Sequence, residues 1–266
     1  MTSIAGGVLE SPDRRPLAPP DGGRFAAIIF DMGSTLLEYE NVPWAALYPS
    51  CVGSVHSYLE RRRRPKVPSF EEFLNRFRLL LEVRRKRIRE ECREYRIGDL
   101  LRQLLRSCDI RTADGELARI SNAYYAPIRR QLTVYPDGVT TLKALRDAGY
   151  RLGLLSNTCF RAQDHREELI RFGLWPLLDV ASFTSTGTYR KPHPEPFRQV
   201  AKRLDVPPGR CLYVGDRQVE DVHGPQGAGM AAVLVRRPGR AYESGLTRSI
   251  EIEQVGQLPD LLGCRR

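Results

Sequence analysis

The chain of 266 residues lacks any apolar run close to the roughly 18 residues that a membrane-spanning helix requires. Residues 1–24 also lack a basic segment followed by a long apolar one, so the sequence predicts no secretory signal peptide. With both features missing, we expect a cytoplasmic protein that does not associate with a membrane.

Cysteine and histidine are few and scattered. None of the six cysteines belongs to a CxxC pair, and the four histidines show no metal-binding spacing. A GxxxxGK[ST] phosphate-binding loop is missing as well. These absences argue against a zinc site and a P-loop nucleotide site, and they indicate reduced thiols rather than a disulfide framework.

The chain has fewer acidic than basic residues. It contains 32 aspartates and glutamates against 42 lysines and arginines, which gives a net charge of +10. Arginine is concentrated between residues 61 and 106, where glutamates such as Glu90 and Glu94 are interleaved at helical spacing. We interpret this stretch as arginines on solvated helix faces. The alternative is a basic surface that attracts nucleic acid, anionic lipid or a phosphorylated small molecule. Nucleic acid is the weaker hypothesis, because aromatic residues for base stacking are not obviously interleaved there.

Hydrophobic patterning predicts three regions. Residues 1–23 are rich in Pro, Gly and charge and predict a disordered leader. Residues 25–30, FAAIIF, predict a strand buried on both faces. Residues 44–130 are predicted to be almost wholly helical, with Ser69 and Glu72 in capping-box spacing. The apolar positions predicted to face a helical core are Phe70, Phe73, Phe77, Leu80, Leu81 and Ile88.

From Tyr135 onward, short apolar strands alternate with helical segments. This alternation is typical of βαβ units around a parallel sheet and predicts the α/β class. The strand at residue 25 has no helix of usual length directly after it. The helical stretch is therefore predicted to be an insertion into the α/β domain.

Polar residues follow the predicted strands at the edge where parallel sheets bind ligands. In chain order they are Asp31, Ser156, Asn157, Lys191, Asp216 and Asp221. Three converging carboxylates repel one another unless a cation or a proton neutralises them. Ligation by carboxylates alone favours Mg²⁺, and a lysine and a hydroxyl beside it suit a phosphoryl group.

Four segments carry a resemblance to the haloacid dehalogenase superfamily over about residues 24–262. They are FDMGSTL, LLSNT, RKPHPEPF and VGDRQVEDVHGPQGAGM, in the order and spacing of that superfamily's motifs. The resemblance implies a Rossmann-like, doubly wound core formed by residues 24–40 and 133–266. It also implies an inserted all-helical cap over residues 41–132, as in the helical-cap branch, together with Mg²⁺ and a covalent aspartyl-phosphate intermediate.

The resemblance assigns roles residue by residue. Asp31 would be the nucleophile, Ser156 would hold the transferring phosphoryl group, and Lys191 would stabilise charge on both. The residues expected to bind the substrate are Ser156, Asn157 and Lys191. The expected metal ligands are Asp31, the backbone carbonyl of Gly33, Asp216 and Asp221.

Gly33 departs from the phosphatase pattern, in which this position holds a second aspartate that protonates the leaving oxygen and later activates water. Loss of such an acid typically costs about 10² to 10⁴ in rate. Three explanations are open: a substrate with a good leaving group, a replacement acid such as Glu38, Glu40 or a cap residue, or a protein that no longer turns over.

Two other branches of the superfamily also lack this acid. A dehalogenase is disfavoured, because it needs no magnesium while Asp216 and Asp221 are both present. A phosphonatase needs a cap lysine, and Lys66 and Lys86 lie in arginine-rich stretches expected to be solvated. The leading hypothesis is a magnesium-dependent, phosphatase-like hydrolase of a small phosphorylated metabolite. The alternative is a catalytically weak or inactive relative with a binding or regulatory role.

Overall fold

A computed structural model describes most of the chain. The described residues are 17–18, 22–39, 41–113, 115–243 and 249–264. Most of the predicted leader, residues 1–23, lies outside them, as does Glu40. No described helix is both long and apolar enough to cross a bilayer.

Parallel strands form the centre of the protein. The strands are β1 (Ala27–Phe30), β2 (Leu37–Glu38), β3 (Thr133–Val134), β4 (Arg151–Ser156), β5 (Val180–Phe183), β6 (Cys211–Gly215), β7 (Ala231–Val235) and β8 (Ile250–Ile252). Six of them form one parallel sheet in the order β5-β4-β1-β6-β7-β8. The chain winds outward from β1 on one side, returns to β6 and winds outward on the other. The predicted Rossmann-like, doubly wound α/β fold is confirmed.

Helices cover the sheet and fill the stretch between β2 and β3. They are α1 (Trp44–Arg61), α2 (Phe70–Glu91), α3 (Ile97–Ser107), α4 (Glu116–Gln131), α5 (Gly138–Asp147), α6 (Ala162–Arg171), α7 (Pro194–Arg203), α8 (Gly224–Gly227) and α9 (Leu258–Leu261). Residues of β1 alternate between two apolar clusters on opposite faces of the sheet, Ile28 and Phe30 in one and Ala27 and Ile29 in the other. The run FAAIIF is apolar throughout because both faces of its strand are covered.

The helices α1 to α4 enclose an apolar cluster of their own. Phe73, Phe77 and Leu81 are buried in it, as their spacing predicted. The prediction for Phe70 is wrong, because this residue opens α2 and its side chain is 40% exposed. The Ser69 hydroxyl accepts a hydrogen bond from the Glu72 N–H at 3.4 Å and caps the helix. The division at residues 41 and 132 stays a prediction.

The short strands β2 and β3 bring the entry and exit of the helical stretch together. They pair antiparallel, with Leu37 opposite Val134 and Glu38 opposite Thr133. This ladder starts six residues after Asp31. The helical stretch therefore enters and leaves beside the carboxyl edge of the sheet.

Candidate active site

The ammonium group of Lys191 joins two of the predicted carboxylates. Its Nζ donates to Asp31 Oδ1 at 2.7 Å and to Asp221 Oδ1 at 2.6 Å. A third bond runs to the hydroxyl of Tyr213 at 2.8 Å, and that hydroxyl donates to the Leu155 carbonyl. All three donors of the buried ammonium are thus satisfied, which fixes its position between the two acids.

The second oxygen of Asp221 is held by the main chain. Asp221 Oδ2 accepts hydrogen bonds from the N–H groups of Asp216 at 3.1 Å and Arg217 at 3.0 Å. Gly215 leaves the space for this carboxylate, because a Cβ there would lie 2.4 Å from Asp221 Cγ. The glycine of the GD motif is therefore a steric requirement of the site.

Asp216 is paired with a cation that the sequence analysis missed. The guanidinium of Arg240 donates to its carboxylate, and the Thr35 hydroxyl donates to Asp216 Oδ1 at 3.2 Å. Arg240 comes five residues after the end of β7. Extending the strand-end argument to that strand would have pointed to it.

Ser156 ends β4 and Asn157 follows it, and both line the same cavity as Asp31. The Asn157 side chain clamps the backbone of Lys191, donating to its carbonyl at 2.9 Å and accepting from its N–H at 2.8 Å. Because both polar atoms of this side chain are engaged, only the backbone amide of Asn157 is left to contact a substrate. Its side chain holds the lysine loop against the end of β4.

Tyr39 covers the position of the missing acid. A Cβ on Gly33 would lie 2.7 Å from Cδ2 and 2.9 Å from Cε2 of the Tyr39 ring. The ring packs edge-on against Trp44, whose indole N–H donates to the Tyr39 carbonyl at 3.2 Å. The space into which a second aspartate would extend is thus filled by an aromatic ring.

A cavity of about 690 Å³ lies over Asp31. The ends of β1 and β4 form its floor, and α2 adds Arg85 and Ile88. The lining cations are Arg85, Arg190, Lys191, Arg217 and Arg240. A cavity rich in cations attracts anionic ligands.

Charge is nearly balanced at the floor of this cavity. Burial raises the pKa of Asp31 to about 6, with Lys191 lowering it and Asp221 raising it. Burial alone would lower the pKa of Lys191, but the carboxylates of Asp221 and Asp31 outweigh it and raise that pKa. Both groups are therefore ionised at neutral pH, Asp31 as a carboxylate and Lys191 as an ammonium.

The three carboxylates form an oxygen-only cluster. Asp31, Asp216 and Asp221 each offer an oxygen within 4.8 Å of the others. Lys191 and Arg240 neutralise two of the three negative charges. The remaining charge and the hard oxygen donors fit a divalent ion such as Mg²⁺.

Other reactive side chains give little support to alternative chemistry. Cys159 lines the cavity, but burial raises the pKa of its thiol to about 12, so it stays protonated. The side chains of Lys66 and Lys86 are 65% and 71% exposed and pair with surface acids. Neither is among the described residues around the cavity, so a Schiff-base mechanism finds no support there.

One edge of the parallel sheet thus gathers Asp31, Ser156, Lys191, Asp216 and Asp221, at the place where Rossmann-like α/β proteins bind their ligands. The family model described as haloacid dehalogenase-like hydrolase matches residues 25–229, and the chain belongs to this family.

Named relatives give a consistent picture. A glyceraldehyde 3-phosphate phosphatase of Methanopyrus kandleri is 36% identical over 115 residues, covering 43% of this chain and 48% of that protein. A phosphoglycolate phosphatase of Salmonella typhimurium is 33% identical over 126 residues, covering 44% and 46%. The chain thus spans about half the length of these curated relatives.

Similar structures cover far more of the chain. The crystal structure of a phosphatase of this family from Thermococcus onnurineus has a TM-score of 0.61 and 28% identity, covering 90% of this chain and 99% of that one. A 2-haloacid dehalogenase from Pseudomonas syringae has a TM-score of 0.65 at 23% identity, covering 90% and 98%, and shows the shared fold.

Proposed function

We propose that this protein is a magnesium-dependent, phosphatase-type hydrolase that acts on a small phosphorylated metabolite through an aspartyl-phosphate on Asp31. The observation that carries the proposal is the placement of Lys191 between Asp31 and Asp221 at hydrogen-bond distance. A nucleophilic carboxylate held by a buried cation at the floor of a cationic cavity is suited to attack phosphorus.

Each residue of the site has its own role in this proposal. Asp31 attacks phosphorus with one carboxylate oxygen while Lys191 holds the other and offsets the charge of the phosphoryl group. The Ser156 hydroxyl, with backbone N–H groups near Met32 and Asn157, binds the phosphoryl oxygens. Asn157 keeps Lys191 in place through its two bonds to the lysine main chain.

Asp31, the Gly33 carbonyl, Asp216 and Asp221 would hold Mg²⁺, which when bound supplies positive charge beside the phosphoryl oxygens. The single negative charge left after Lys191 and Arg240 are counted supports this assignment. Arg240 restrains Asp216 so that its carboxylate keeps its place at the site.

The substrate class follows from the cavity and from the named relatives. Both relatives act, by name, on small phosphate esters. Arg85 and Arg217 stand at the cavity wall and would attract a second anionic group or the phosphate itself. A volume of about 690 Å³ leaves room beyond the phosphoryl group for the rest of a small metabolite.

The experiment is a screen of small phosphate esters for phosphate release, with Mg²⁺ and with a chelator. We expect Mg²⁺-dependent hydrolysis that Asp31→Asn abolishes. Asp205→Asn is the matched control, because Asp205 is an exposed carboxylate outside the cavity. Equal phosphate release by the wild type and Asp31→Asn would overturn the proposal, and no release from any ester would favour the catalytically weak alternative.

A further inference from the structure

A buried chain of three polar side chains leads away from the cavity beside Asp31. Thr158 Oγ1 lies 2.7 Å from His165 Nε2, and His165 Nδ1 lies 3.2 Å from Glu168 Oε2. Their exposures are 8%, 1% and 1%. Thr158 and His165 line the same cavity as Asp31, so the chain of hydrogen bonds ends where the substrate would lie.

Local structure explains the alignment. Thr158 follows Ser156, the last residue of β4, at the carboxyl edge of the sheet. The helix α6 places His165 and Glu168 three residues apart, on one face of the helix. The hydroxyl end of the chain therefore faces the cavity and the carboxylate end lies behind it.

Glu168 differs from the acid one turn earlier on its helix. Asp164 is paired with Arg129 at 3.2 Å and Arg161 at 2.6 Å. In the described part of the chain, the partner of Glu168 at ion-pair distance is His165. The Glu168 carboxylate is therefore placed to accept a hydrogen bond from Nδ1–H of His165.

Side chains from several elements enclose His165. On α6 it meets Glu168, and from α4 the Tyr125 hydroxyl lies 3.3 Å from Nδ1. The ring of Phe183 stacks on the imidazole, and the ring of Phe160 meets it edge-on. When both ring nitrogens carry a hydrogen, Nδ1–H points at Glu168 and Nε2–H points at Thr158.

In that arrangement the hydrogen of the Thr158 hydroxyl is free to donate. Its oxygen has two lone pairs, which accept from His165 Nε2 and from the Phe160 N–H at 3.1 Å. The hydroxyl hydrogen takes part in neither of these two hydrogen bonds. It is therefore available to a ligand in the cavity that Thr158 lines.

We infer that Thr158, supported by His165 and Glu168, transfers the protons of the reaction in place of the acid absent at Gly33. This inference rests on the proposed phosphatase function. In the family pattern one aspartate protonates the leaving oxygen and later takes a proton from water. Here a hydroxyl coupled to an imidazole performs both transfers, and His165 and Glu168 act as positioning residues behind it.

The protons balance over the cycle. When Asp31 bonds to phosphorus, the bond to the leaving oxygen breaks, and that oxygen takes its proton from Thr158. Thr158 regains a proton from His165 Nε2, and the imidazole becomes neutral. When water attacks the aspartyl-phosphate, its proton passes to Thr158 and on to His165, and the carboxylate of Asp31 is released.

The test compares two kinds of ester with Mg²⁺ present. An alkyl phosphate has a poor leaving group that needs a proton, and p-nitrophenyl phosphate has a good one that does not. We expect Thr158→Val to lower kcat for the alkyl ester by about 10² to 10³ and for the aryl ester by less than about 10-fold. Thr158→Ser, which keeps the hydroxyl, restores most of the alkyl activity.

His165→Gln should show the same selective loss. His56→Gln is the matched control, because His56 is also buried but bonds the Pro68 carbonyl and lies outside the Asp31 cavity. If His165→Gln does not fold, the activities of Thr158→Val and Thr158→Ser on the two esters decide whether the inference holds.

Equal losses on both esters, or none, would overturn the inference and leave these residues with a structural role. Aryl hydrolysis that depends on Asp31, with an unchanged alkyl-to-aryl ratio in Thr158→Val, would defeat this inference and spare the proposed function. Failure of the wild type to hydrolyse either ester would defeat both.

Discussion

The ring of Tyr39 lies against Gly33 so closely that a Cβ on the glycine would approach ring carbon Cδ2 to 2.7 Å. The absent second acid and this tyrosine are therefore coupled. The glycine at this position goes with an aromatic ring that fills the space, and the ring of Trp44 packs edge-on against that ring.

Restoring the acid alone is therefore expected to fail. Gly33→Asp should destabilise the fold by about 1–3 kcal/mol through overpacking, without a gain in turnover. The double variant Gly33→Asp with Tyr39→Ala makes room and should raise turnover of alkyl phosphates above that of Tyr39→Ala alone. Urea unfolding and phosphate release measure the two effects. A large gain from Gly33→Asp by itself would show that Tyr39 moves aside freely.

Removing the ammonium of Lys191 should be costly in two ways. Lys191→Met leaves Asp31 and Asp221 buried beside each other without their shared cation, for an expected loss of about 3–5 kcal/mol in metal-free protein. Added Mg²⁺ should recover part of this stability but not the activity. Thermal unfolding with and without Mg²⁺ measures this change in stability. Lys202→Met, at an exposed position of α7, is the control.

The stability of the metal-free protein should depend on pH through Asp31. Its pKa rises from 3.8 to about 6 on folding, so the folded state binds the extra proton between these values. The resulting stability is fully present below about pH 4 and is lost as pH rises through 6. The penalty at pH 7 is about 3 kcal/mol relative to the protonated form.

Urea unfolding in a chelating buffer measures this penalty. Asp31→Asn should be more stable than the wild type at pH 7, and the difference should disappear near pH 4, because asparagine mimics the protonated carboxyl. A difference between the two proteins that stays constant across this range would contradict the expected pKa. Mg²⁺ should reduce the advantage of the variant at pH 7, since it stabilises the carboxylate.

A methyl group at Gly215 should damage the proposed metal site. The added Cβ would lie 2.4 Å from Asp221 Cγ and force this carboxylate away from its backbone donors. We expect Gly215→Ala to raise the Mg²⁺ concentration needed for half-maximal activity by at least about tenfold. Gly227→Ala is the matched control, because nothing lies within 4 Å of its Cβ position. Equal effects from both variants would remove the steric role assigned to Gly215.

Much of the fold and part of the site followed from local pattern. The strand run FAAIIF and the alternation after Tyr135 predicted a parallel sheet, and carboxyl ends of parallel strands share one edge. Asp31, Lys191 and Asp221 meet there as expected. The resemblance to the family motifs added an expected role for each residue, which stays a prediction. The prediction for Phe70 was wrong because periodicity does not register that a residue lies at an exposed helix end.

The amino-acid sequence by itself determined which strands are buried and which charged groups each strand end carries, since these depend on periods of two and 3.6 residues and on chain order. Only the tertiary structure decided that Tyr39 fills the space at Gly33, that Arg240 reaches Asp216 and that Thr158 meets His165. Those contacts join segments that chain order does not place side by side, because they depend on how the helical stretch packs over the sheet and on the direction of each side chain.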